Sequence, residues 1–470
     1  MDGSFRCRPP IMPMSGPAGH ASVFTRMKAW SAFCPRFLSA AWTCKSTQTE
    51  NGTQSNLERK RMESVYILGG GRTDFKRNLK KEGKTIRHII IEAGKKAIDD
   101  AKIDPEEIQA GAVGNFNAGQ FTKQLQLGAF IPEIDPKLRG IPTMHTEAAC
   151  ASGALSVLLG AEWIMGGFYD VVLVVGAEQQ KTMSSLDGSD VLGAAADYHN
   201  EKPEYGDFMF PKLFGRIAQI YIEKYSATEA DLARVAWKNY AHAKLNPLAQ
   251  MRDADLTLDC ASQVSDKNPS VAPPLKVSDC SQITDGAASV VLVSGKYLEK
   301  IGRDRDKTAR LFGYGHTTDY LPLDKKDAPT FSTARKAAEK AFRMAKLTPR
   351  DLQGAEVHDC FSITEIVAYE ILGLAESGKG VELVKSGATT LPQVRPERSK
   401  APFEIPVNAG GGLIGDGHPV GATGVRQVFE AYQQLTGQAG AHQIENVRKF
   451  LTFNMGGSLT TSVAMVWGRD

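Results

Sequence analysis

Short apolar runs alternate with longer stretches of helical periodicity from about residue 63 to the C-terminus. The run 64–68 predicts a strand, the periodic stretch 85–102 predicts a helix, and 111–116 predicts the next strand. Strands that alternate with helices are typical of an α/β protein. Because the chain has 470 residues, we expect two or three packed units rather than one core.

One phrase of this pattern occurs twice, at a constant offset and with the same order of helix, proline and strand. The recurring residues are Ala93, Ala97, Ala101, Lys102, Pro105 and Val113 in the first copy and Ala337, Ala341, Ala345, Lys346, Pro349 and Val357 in the second. Alanines four residues apart form a small-residue stripe that lets a helix lie close to a sheet. The repeat therefore predicts two duplicated halves.

Each half also contains a turn with a reactive side chain. Cys150 and His418 each open a predicted helix, and predicted strands over 171–176 and 450–455 follow those helices. Since α/β proteins place their chemistry where strands end, we expect Cys150 and His418 to occupy equivalent turns, one per half.

Less regular sequence separates the two halves, with predicted helices around Ile217 and over 229–243 and a returning strand at 288–293. We interpret it as an inserted lid over the site. The predicted domains are an N-terminal half formed by 61–180 and 284–300, an inserted loop domain over 181–283, and a C-terminal half over 301–470.

Composition narrows the class of protein. The chain is 42% hydrophobic and 23% charged, as is ordinary for a soluble globular protein, and its net charge of +3 does not favour nucleic-acid binding. No apolar run reaches the roughly 18 residues of a membrane span. The seven cysteines include no C-x-x-C pair, so we expect neither zinc nor a disulfide framework, but a reducing compartment. The glycine run 69–71 matches no phosphate-binding motif and predicts a turn.

The first 60 residues differ from the rest. They are rich in basic residues, serines and aromatics, and Asp2 is the only acidic residue before Glu50. This composition is typical of a mitochondrial presequence. We therefore expect a transit peptide and a mitochondrial location. The alternatives are a disordered tail without a targeting role, and a peroxisome-like organelle or the cytoplasm.

Cys150 lies in the segment EAACASG at a predicted helix start. Unpaired backbone N–H groups and the positive end of the helix favour a thiolate there, and such sites can lower a thiol pKa to neutrality or below. The small neighbours leave room for an acyl chain to reach the sulfur. A nucleophilic thiol is the functional interpretation, and a buried structural cysteine is the alternative.

His418 lies in GHPVGATG, and His358 and Cys360 lie in HDCF directly after a predicted strand. His418 could take the proton of Cys150 and donate a hydrogen bond to a thioester oxygen. Packing roles are the alternative for His418 and Cys360. The first half has GNFN, without an ionisable side chain, where the second has HDCF. One nucleophilic thiol, two imidazoles and a second thiol point to acyl transfer through a covalent thioester.

These motifs together resemble the thiolase superfamily: the CASG helix start, the GHPVGATG turn, the duplicated halves and the phrase SQITDGAA that begins at Ser281. The HDCF motif is similar to that of the sterol carrier protein-type thiolases. The resemblance covers about residue 63 to the C-terminus. It implies a thiolase-type five-layer α/β/α/β/α fold of two duplicated halves with an inserted lid domain.

The resemblance also implies a role for each motif residue. Cys150 would be the acylated nucleophile and His418 its base, while His358, where most thiolases have Asn, would complete an oxyanion hole with His418. Backbone N–H groups of Cys150 and Gly456 would form a second oxyanion hole. Thiolases bind coenzyme A through the lid and near Ser281. They use no metal or permanently bound cofactor, and they form dimers or dimers of dimers.

One departure from the family pattern affects the chemistry. Thiolases generally carry an acid/base cysteine in a Cys-x-Gly motif near the C-terminus, but here the matching phrase is NMGG, with Asn454 in place of that cysteine. Cys360 is the natural substitute. We also expect that no lipid-transfer domain is fused after Asp470.

We therefore predict a 3-oxoacyl-CoA thiolase of lipid metabolism and fatty acid β-oxidation. It would use coenzyme A to cleave 3-oxoacyl-CoA into acetyl-CoA and a shortened acyl-CoA, or run the reverse Claisen condensation. Two alternatives stay open. A ketoacyl synthase-like condensing enzyme would not need Cys360, and a non-catalytic thiolase-like protein would bind acyl-CoA or lipid without acylation of Cys150.

Overall fold

The structure is a computed structural model, and the part of the chain that it describes comprises residues 62–395, 397, 399, 401 and 403–470. The predicted presequence over 1–60 lies outside the described residues. Within the described part, no helix combines the length and apolar composition needed to cross a membrane.

The elements follow the alternating pattern of the sequence. The strands are β1 Val65–Arg72, β2 Ala110–Gly114, β3 Thr143–Thr146, β4 Val171–Glu178, β5 Ser270–Ala272, β6 Leu275–Lys276, β7 Gly286–Ser294, β8 Ala309–Thr318, β9 Gly354–Val357, β10 Lys449–Gly456 and β11 Thr461–Gly468. The α-helices are α1 Ile86–Ala101, α2 Ala118–Thr122, α3 Ser152–Met165, α4 Ser185–Gly193, α5 Tyr198–Tyr205, α6 Met209–Tyr225, α7 Glu229–Ala243, α8 Leu258–Ser262, α9 Gly295–Lys300, α10 Ser332–Ala345, α11 Ser362–Ile371, α12 Gly380–Lys385, α13 Gly412–Asp416 and α14 Thr423–Thr436.

The large sheet contains the predicted duplication. Its strand order is β3-β2-β4-β7-β1-β8-β11-β10-β9. Outward from the centre, both halves repeat two antiparallel pairings and then a parallel one. Within the sheet, the two halves meet where β1 pairs with β8, at Tyr66 with Arg310 and at Ile67 with Ala309. Helices α1 and α10, which carry the repeated alanines, pack on matching strands of the two halves.

Successive side chains of a strand point to opposite faces of the sheet, and those faces pack into three hydrophobic cores. Tyr66 and Leu68 of β1 pack with α1 in the first core, whereas Val65 and Ile67 pack with α3 and α14 in the central core. The third core lies on the other face of the second half, with α10 and α11. The layer order is therefore α/β/α/β/α, which confirms the predicted fold class.

Helices α3 and α14 meet through their backbones in the central layer. A Cβ on Gly153 would lie 2.7 Å from the carbonyl oxygen of Gly421, and a Cβ on Gly424 would lie 2.1 Å from the backbone nitrogen of Ala154. Only glycine permits this approach. As a result, the starts of the two helices lie side by side at the centre of the molecule.

The glycine run 69–71 belongs to β1, so the predicted turn is wrong. A Cβ on Gly69 would lie 2.3 Å from the backbone nitrogen of Ala101, and a Cβ on Gly70 would lie 2.4 Å from the ring of Phe429. The glycines are needed because helices press on both faces of the strand, not because the chain reverses there.

Between β4 and β7 the chain forms helices α4 to α8 and the β5–β6 hairpin. Helices α6 and α7 pack on α11, which begins directly after the HDCF motif. The intervening segment therefore borders the region that carries the motif residues. Its boundaries as a separate domain stay a prediction.

Candidate active site

Three of the predicted site residues converge although they are far apart in the sequence. The Sγ atom of Cys150 and one ring nitrogen each of His358 and His418 all lie within 4.8 Å of one another. The two imidazole rings are nearly perpendicular, with centroids 5.2 Å apart. All three side chains are buried. The arrangement joins a thiol from the first half to two imidazoles from the second.

Cys150 occupies a tight 3-10 turn, Ala149–Ala151, immediately before α3. The turn is held by Ser152, whose hydroxyl donates to the Ala149 carbonyl at 2.6 Å and accepts from the Ala148 N–H at 3.0 Å. Ala149 has a φ of +50°, a left-handed conformation that a residue with a Cβ adopts only when its surroundings enforce it. The thiol is therefore presented by a locally strained turn.

Burial dominates the electrostatics of Cys150, which is 4% exposed. It raises the thiol pKa to about 12, although hydrogen bonds from the backbone N–H groups of Gly457 and of Cys150 itself act in the opposite direction. The nearby carboxyl of Glu178 adds to the rise. The expected lowering of the pKa by the helix start is outweighed by desolvation, so the thiol of the free site is protonated and needs a base.

His418 is suited to be that base. Burial, followed by the charge of Arg426, lowers its pKa to about 3, so the ring is neutral. Its Nδ1 lies 2.6 Å from the hydroxyl oxygen of Thr423, and that hydroxyl also donates to the Pro419 carbonyl at 3.2 Å. Because a hydroxyl has one proton, both contacts are satisfied when Nδ1–H donates to Thr423. Nε2 of His418 is then left with a lone pair.

His358 is also neutral. Burial, with smaller effects from the charges of His418 and Arg426, holds its pKa well below the ordinary range. Its Nδ1 lies 2.9 Å from the amide nitrogen of Asn454. A neutral imidazole can donate one hydrogen bond and accept another, as an oxyanion hole with a fixed donor requires.

Cys360 opens onto the same cavity as Cys150 and His418, a space of about 320 Å³. Burial raises the pKa of the Cys360 thiol well above its ordinary value, and the charges of Cys150 and Asp359 reinforce the effect. A third thiol, Cys280, also lines the cavity. The apolar part of the wall is formed by Leu192, Phe208, Phe210, Pro211, Val271, Val277, Ile283, Phe361 and Val420.

Ser281 lies in the cavity wall, and its backbone N–H donates to the carbonyl of Cys360 at 2.9 Å. Gly456 ends β10. The N–H that reaches the sulfur of Cys150 belongs to the next residue, Gly457. Sequence reasoning missed Gly457, although it is the second glycine of the same pair. The roles of Ser281 and Gly456 stay predictions.

The loop that carries His418 is tied to the first half by a buried ion pair. Arg72 of β1 donates to both carboxylate oxygens of Asp416, at 2.6 and 2.7 Å. The guanidinium of Arg72 also stacks on the ring of Phe75, 3.8 Å from its centroid. Sequence reasoning missed this pair, because nothing local connects residues that are so far apart along the chain.

Glu178 is a second buried anchor. One carboxylate oxygen accepts from the N–H groups of Phe116 and Gly421 at 2.9 and 3.0 Å, and the other accepts from the side chain of Asn115 at 2.8 Å. Burial raises its pKa to about 7, while these N–H groups act in the opposite direction. Glu178 thus joins the GNFN loop of the first half to the turn that follows His418.

Asp359, the acidic residue of the HDCF motif, holds the surrounding backbone in place. Its carboxylate accepts from the N–H groups of Leu413 and Ile414 at 2.6 and 3.2 Å and from the side chain of Asn239 at 2.7 Å. The contacts fasten the end of β9 to α13 and α7. Asp359 therefore fixes its neighbours, His358 and Cys360, rather than facing the cavity.

The cluster of Cys150, His358 and His418 also contains the side-chain types that bind zinc. Across the described ranges, no fourth cysteine, histidine or carboxylate joins this group. The donor types alone do not separate a metal centre from a thiol–imidazole site, so the prediction of a metal-free site needs a direct test.

Comparison with known proteins agrees with the geometry. A family profile described as "Thiolase, N-terminal domain" matches residues 65–265, and one described as "Thiolase C-terminal domain-like" matches residues 315–469. An acetyl-CoA acetyltransferase of Methanothermobacter thermautotrophicus is 34% identical over 409 residues, which cover 87% of this chain and 100% of that protein.

Two further similarities concern the subfamily and the fold. Sterol carrier protein 2 of Homo sapiens is 30% identical over 413 residues, which cover 84% of this chain and 70% of that protein. A solved structure described as an Ltp2-ChsH2(DUF35) aldolase has a TM-score of 0.71 at 21% identity, over 87% of this chain and 99% of that one, and it supports the fold alone. The chain belongs to the thiolase superfamily, with its similarity to sterol carrier protein 2 placing it among the sterol carrier protein-type members.

Proposed function

We propose that this protein is a 3-oxoacyl-CoA thiolase, which transfers an acyl group from 3-oxoacyl-CoA to coenzyme A through a thioester on Cys150. The observation that carries the proposal is the convergence of Cys150, His358 and His418 within 4.8 Å, beside a cavity that Cys360 also lines. The enzyme would use coenzyme A as a substrate and hold no permanent cofactor.

The first step begins with the Cys150 thiol and the His418 imidazole both neutral. The Cys150 sulfur attacks the 3-oxo carbon while its proton passes to the lone pair on Nε2 of His418. The bond between the α-carbon and the 3-oxo carbon then breaks, and its electron pair forms the enolate of acetyl-CoA. The Cys360 thiol donates its proton to the α-carbon, which releases acetyl-CoA and leaves a Cys360 thiolate.

The second step restores the site. The thiol of a free coenzyme A attacks the acyl group on Cys150 and gives its proton to the Cys360 thiolate. The bond from the acyl carbon to the Cys150 sulfur breaks, and that sulfur recovers its proton from His418. The product is an acyl-CoA two carbons shorter than the substrate, and every proton returns to its starting position.

Two sets of donors would stabilise the negative charge that develops on oxygen. Once protonated, His418 donates from Nε2 to the enolate oxygen, together with His358. The backbone N–H groups of Cys150 and Gly456 would face the other oxyanion, with Gly457 beside them. A buried site strengthens these hydrogen bonds because little water competes for the charge.

Coenzyme A would enter between the segment containing α4 to α8 and the wall at Ser281. Phe208 and Phe361, with the aliphatic side chains of the cavity wall, offer an apolar surface to an acyl chain. A cavity of about 320 Å³ has room for more than an acetyl group. Isothermal titration with coenzyme A, comparing the wild type with Ser281→Trp, would test entry at this wall.

The decisive experiment is thiolysis of acetoacetyl-CoA and of longer 3-oxoacyl-CoA by free coenzyme A. Loss of activity in both Cys150→Ala and Cys360→Ala is expected, with Cys260→Ala, which removes an exposed thiol, as the matched control. Full activity of Cys360→Ala would favour the ketoacyl synthase-like alternative. Binding of acyl-CoA without turnover or acylation of Cys150 would favour the non-catalytic alternative.

Metal dependence is tested in the same assay. Since the mechanism uses only thiols and imidazoles, dialysis against a chelator should leave the thiolysis rate unchanged, and elemental analysis should find no stoichiometric zinc. A rate that falls on chelation and returns with zinc would assign the three-residue cluster to a metal ion instead.

Assembly and location are proposed as well. Strand β3 is an edge of the large sheet, and its Met144 side chain is 53% exposed. An open edge of this kind can pair with a second copy, so we propose a homodimer or tetramer, which light scattering would measure. We also propose a mitochondrial location, tested by whether residues 1–60 direct a reporter protein into mitochondria and whether Arg6→Glu together with Arg8→Glu abolishes the import.

A further inference from the structure

We infer that Asn454 is a positioning residue that fixes the tautomer of His358, keeping the ring proton on Nε2 so that this nitrogen can donate to a substrate oxygen. The inference rests on the proposed function, because it concerns the oxyanion hole of that reaction. Asn454 occupies the place of the acid/base cysteine that the family pattern leads one to expect, and it therefore has no proton to exchange.

The contact itself is short and shielded from water. The amide nitrogen Nδ2 of Asn454 lies 2.9 Å from Nδ1 of His358, and the two residues are 2% and 1% exposed. An amide NH₂ group only donates, so the nitrogen of the ring that it meets must offer a lone pair. A neutral imidazole has one N–H, which leaves the proton on Nε2.

The surroundings of His358 keep its ring neutral, so the ring carries a single N–H. Burial and the charges of His418 and Arg426 all disfavour a second proton on His358. Within the described part of the chain, no hydrogen bond from another side chain or backbone group reaches Nε2. The Nε2–H set by Asn454 thus has no partner in the described part of the protein, and the His358 ring belongs to the cluster in which one ring nitrogen lies within 4.8 Å of the Cys150 sulfur.

The backbone places Asn454 firmly. It lies in β10, opposite Val463 of β11, and the residue before it, Phe453, is in register with Val357 at the end of β9. His358 follows Val357 directly, so the two side chains project from adjacent strand positions. The strand pairing, rather than a flexible loop, sets the distance between the amide and the imidazole.

The amide oxygen has its own space. Oδ1 of Asn454 is buried with no partner in the described part of the molecule, and a Cβ on Gly424 would lie 2.7 Å from it. The absence of a side chain at Gly424 accommodates the oxygen, while the NH₂ group faces His358. A buried carbonyl without a hydrogen-bond donor costs free energy. A positioning role for the NH₂ group at the other end of the amide would explain why this cost is tolerated.

A double-mutant cycle separates this role from mere packing. Asn454→Leu keeps the approximate volume but removes the donor, and it should lower kcat about tenfold with little change in KM. His358→Asn replaces the ring by an amide, which has no tautomers. In that background, Asn454→Leu should change kcat by less than about twofold. An equal loss in both backgrounds would overturn the inference.

A measurement without turnover tests the tautomer directly. With 15N-labelled histidine, the His358 signals are identified by their loss in His358→Asn. In the wild type, Nδ1 should resonate as an unprotonated nitrogen and Nε2 as a protonated one, and Asn454→Leu should shift the ring toward a mixture. A protonated Nδ1 in the wild type would refute the inference. If the spectra agree but the wild type does not cleave 3-oxoacyl-CoA, the proposed function fails and the tautomer assignment stands. Asn454→Ala replaces Asn454→Leu if the leucine variant does not fold.

Discussion

The protonation state of Cys150 gives a prediction in which sequence and structure disagree. A helix-start cysteine is expected to be a thiolate near neutral pH, but burial raises the pKa of this thiol to about 12. At pH 7.5 a pKa of about 12 leaves roughly 1 thiol in 30,000 ionised, whereas an ordinary cysteine near 8.5 is about one tenth ionised. The structure therefore predicts a roughly 3,000-fold smaller thiolate fraction than in a free cysteine.

The assay is alkylation of Cys150 by iodoacetamide between pH 6 and 10, followed by peptide mass spectrometry so that the other thiols do not interfere. The shape of the profile, rather than its absolute rate, carries the information, because burial also slows access. The rate should rise about tenfold per pH unit throughout the range. N-acetylcysteine, measured in parallel, should level off above its own pKa.

A plateau below pH 9 would refute the reasoning, because it would mean that Cys150 titrates without the cost of burial. A plateau near neutrality that disappears in His418→Asn would show a thiolate–imidazolium pair instead of two neutral groups. Circular dichroism at each pH would exclude unfolding as the cause of any rise at the alkaline end.

Three further predictions concern the supports of the site. Asp416→Asn leaves the buried guanidinium of Arg72 without its carboxylate, so we expect a loss of about 3–5 kcal/mol in the free energy of unfolding, measured by urea denaturation; a change below 1 kcal/mol would contradict this. Glu178→Gln places an NH₂ group against N–H donors and should cost about 1–3 kcal/mol, with reduced turnover in the thiolysis assay; Glu162→Gln, at an exposed position, is the control. Gly70→Ala forces a methyl group against Phe429 and should lower stability by about 1–3 kcal/mol, whereas Gly70→Ala combined with Phe429→Leu should recover part of the loss.

The parts of the fold that depend on local pattern could be predicted well from the sequence. The helix predicted over 229–243 has those bounds in the structure, where it is Glu229–Ala243. The duplication could be predicted from the repeated alanines, because close packing of a helix on a sheet requires small residues at fixed spacing. The motifs of Cys150, His358 and His418 were recognisable because each one follows or precedes a regular element.

The rest depends on contacts that no local pattern records. The run 69–71 has the composition of a turn, yet helices that lie far away in the sequence make glycine necessary within a strand. Likewise, the pairing of Arg72 with Asp416 joins the two halves and becomes visible only when the chain is folded. Cys150 is desolvated because residues from many parts of the fold enclose it. A prediction of its pKa from the helix start alone leaves out this effect.

The backbone contact between α3 and α14 also bears on how the protein can vary. At Gly153 and Gly424 the two helices have no side chains that could change rotamer or repack. Elsewhere in the central core, neighbouring side chains can repack around a larger or smaller residue. At the contact between α3 and α14 the backbones themselves touch, so no such repacking is possible. Substitutions elsewhere in the surrounding core are therefore expected to change the distance between Cys150 and His418 little. In contrast, one methyl group added at Gly153 or Gly424 would push the starts of α3 and α14 apart and increase the distance between Cys150 and His418.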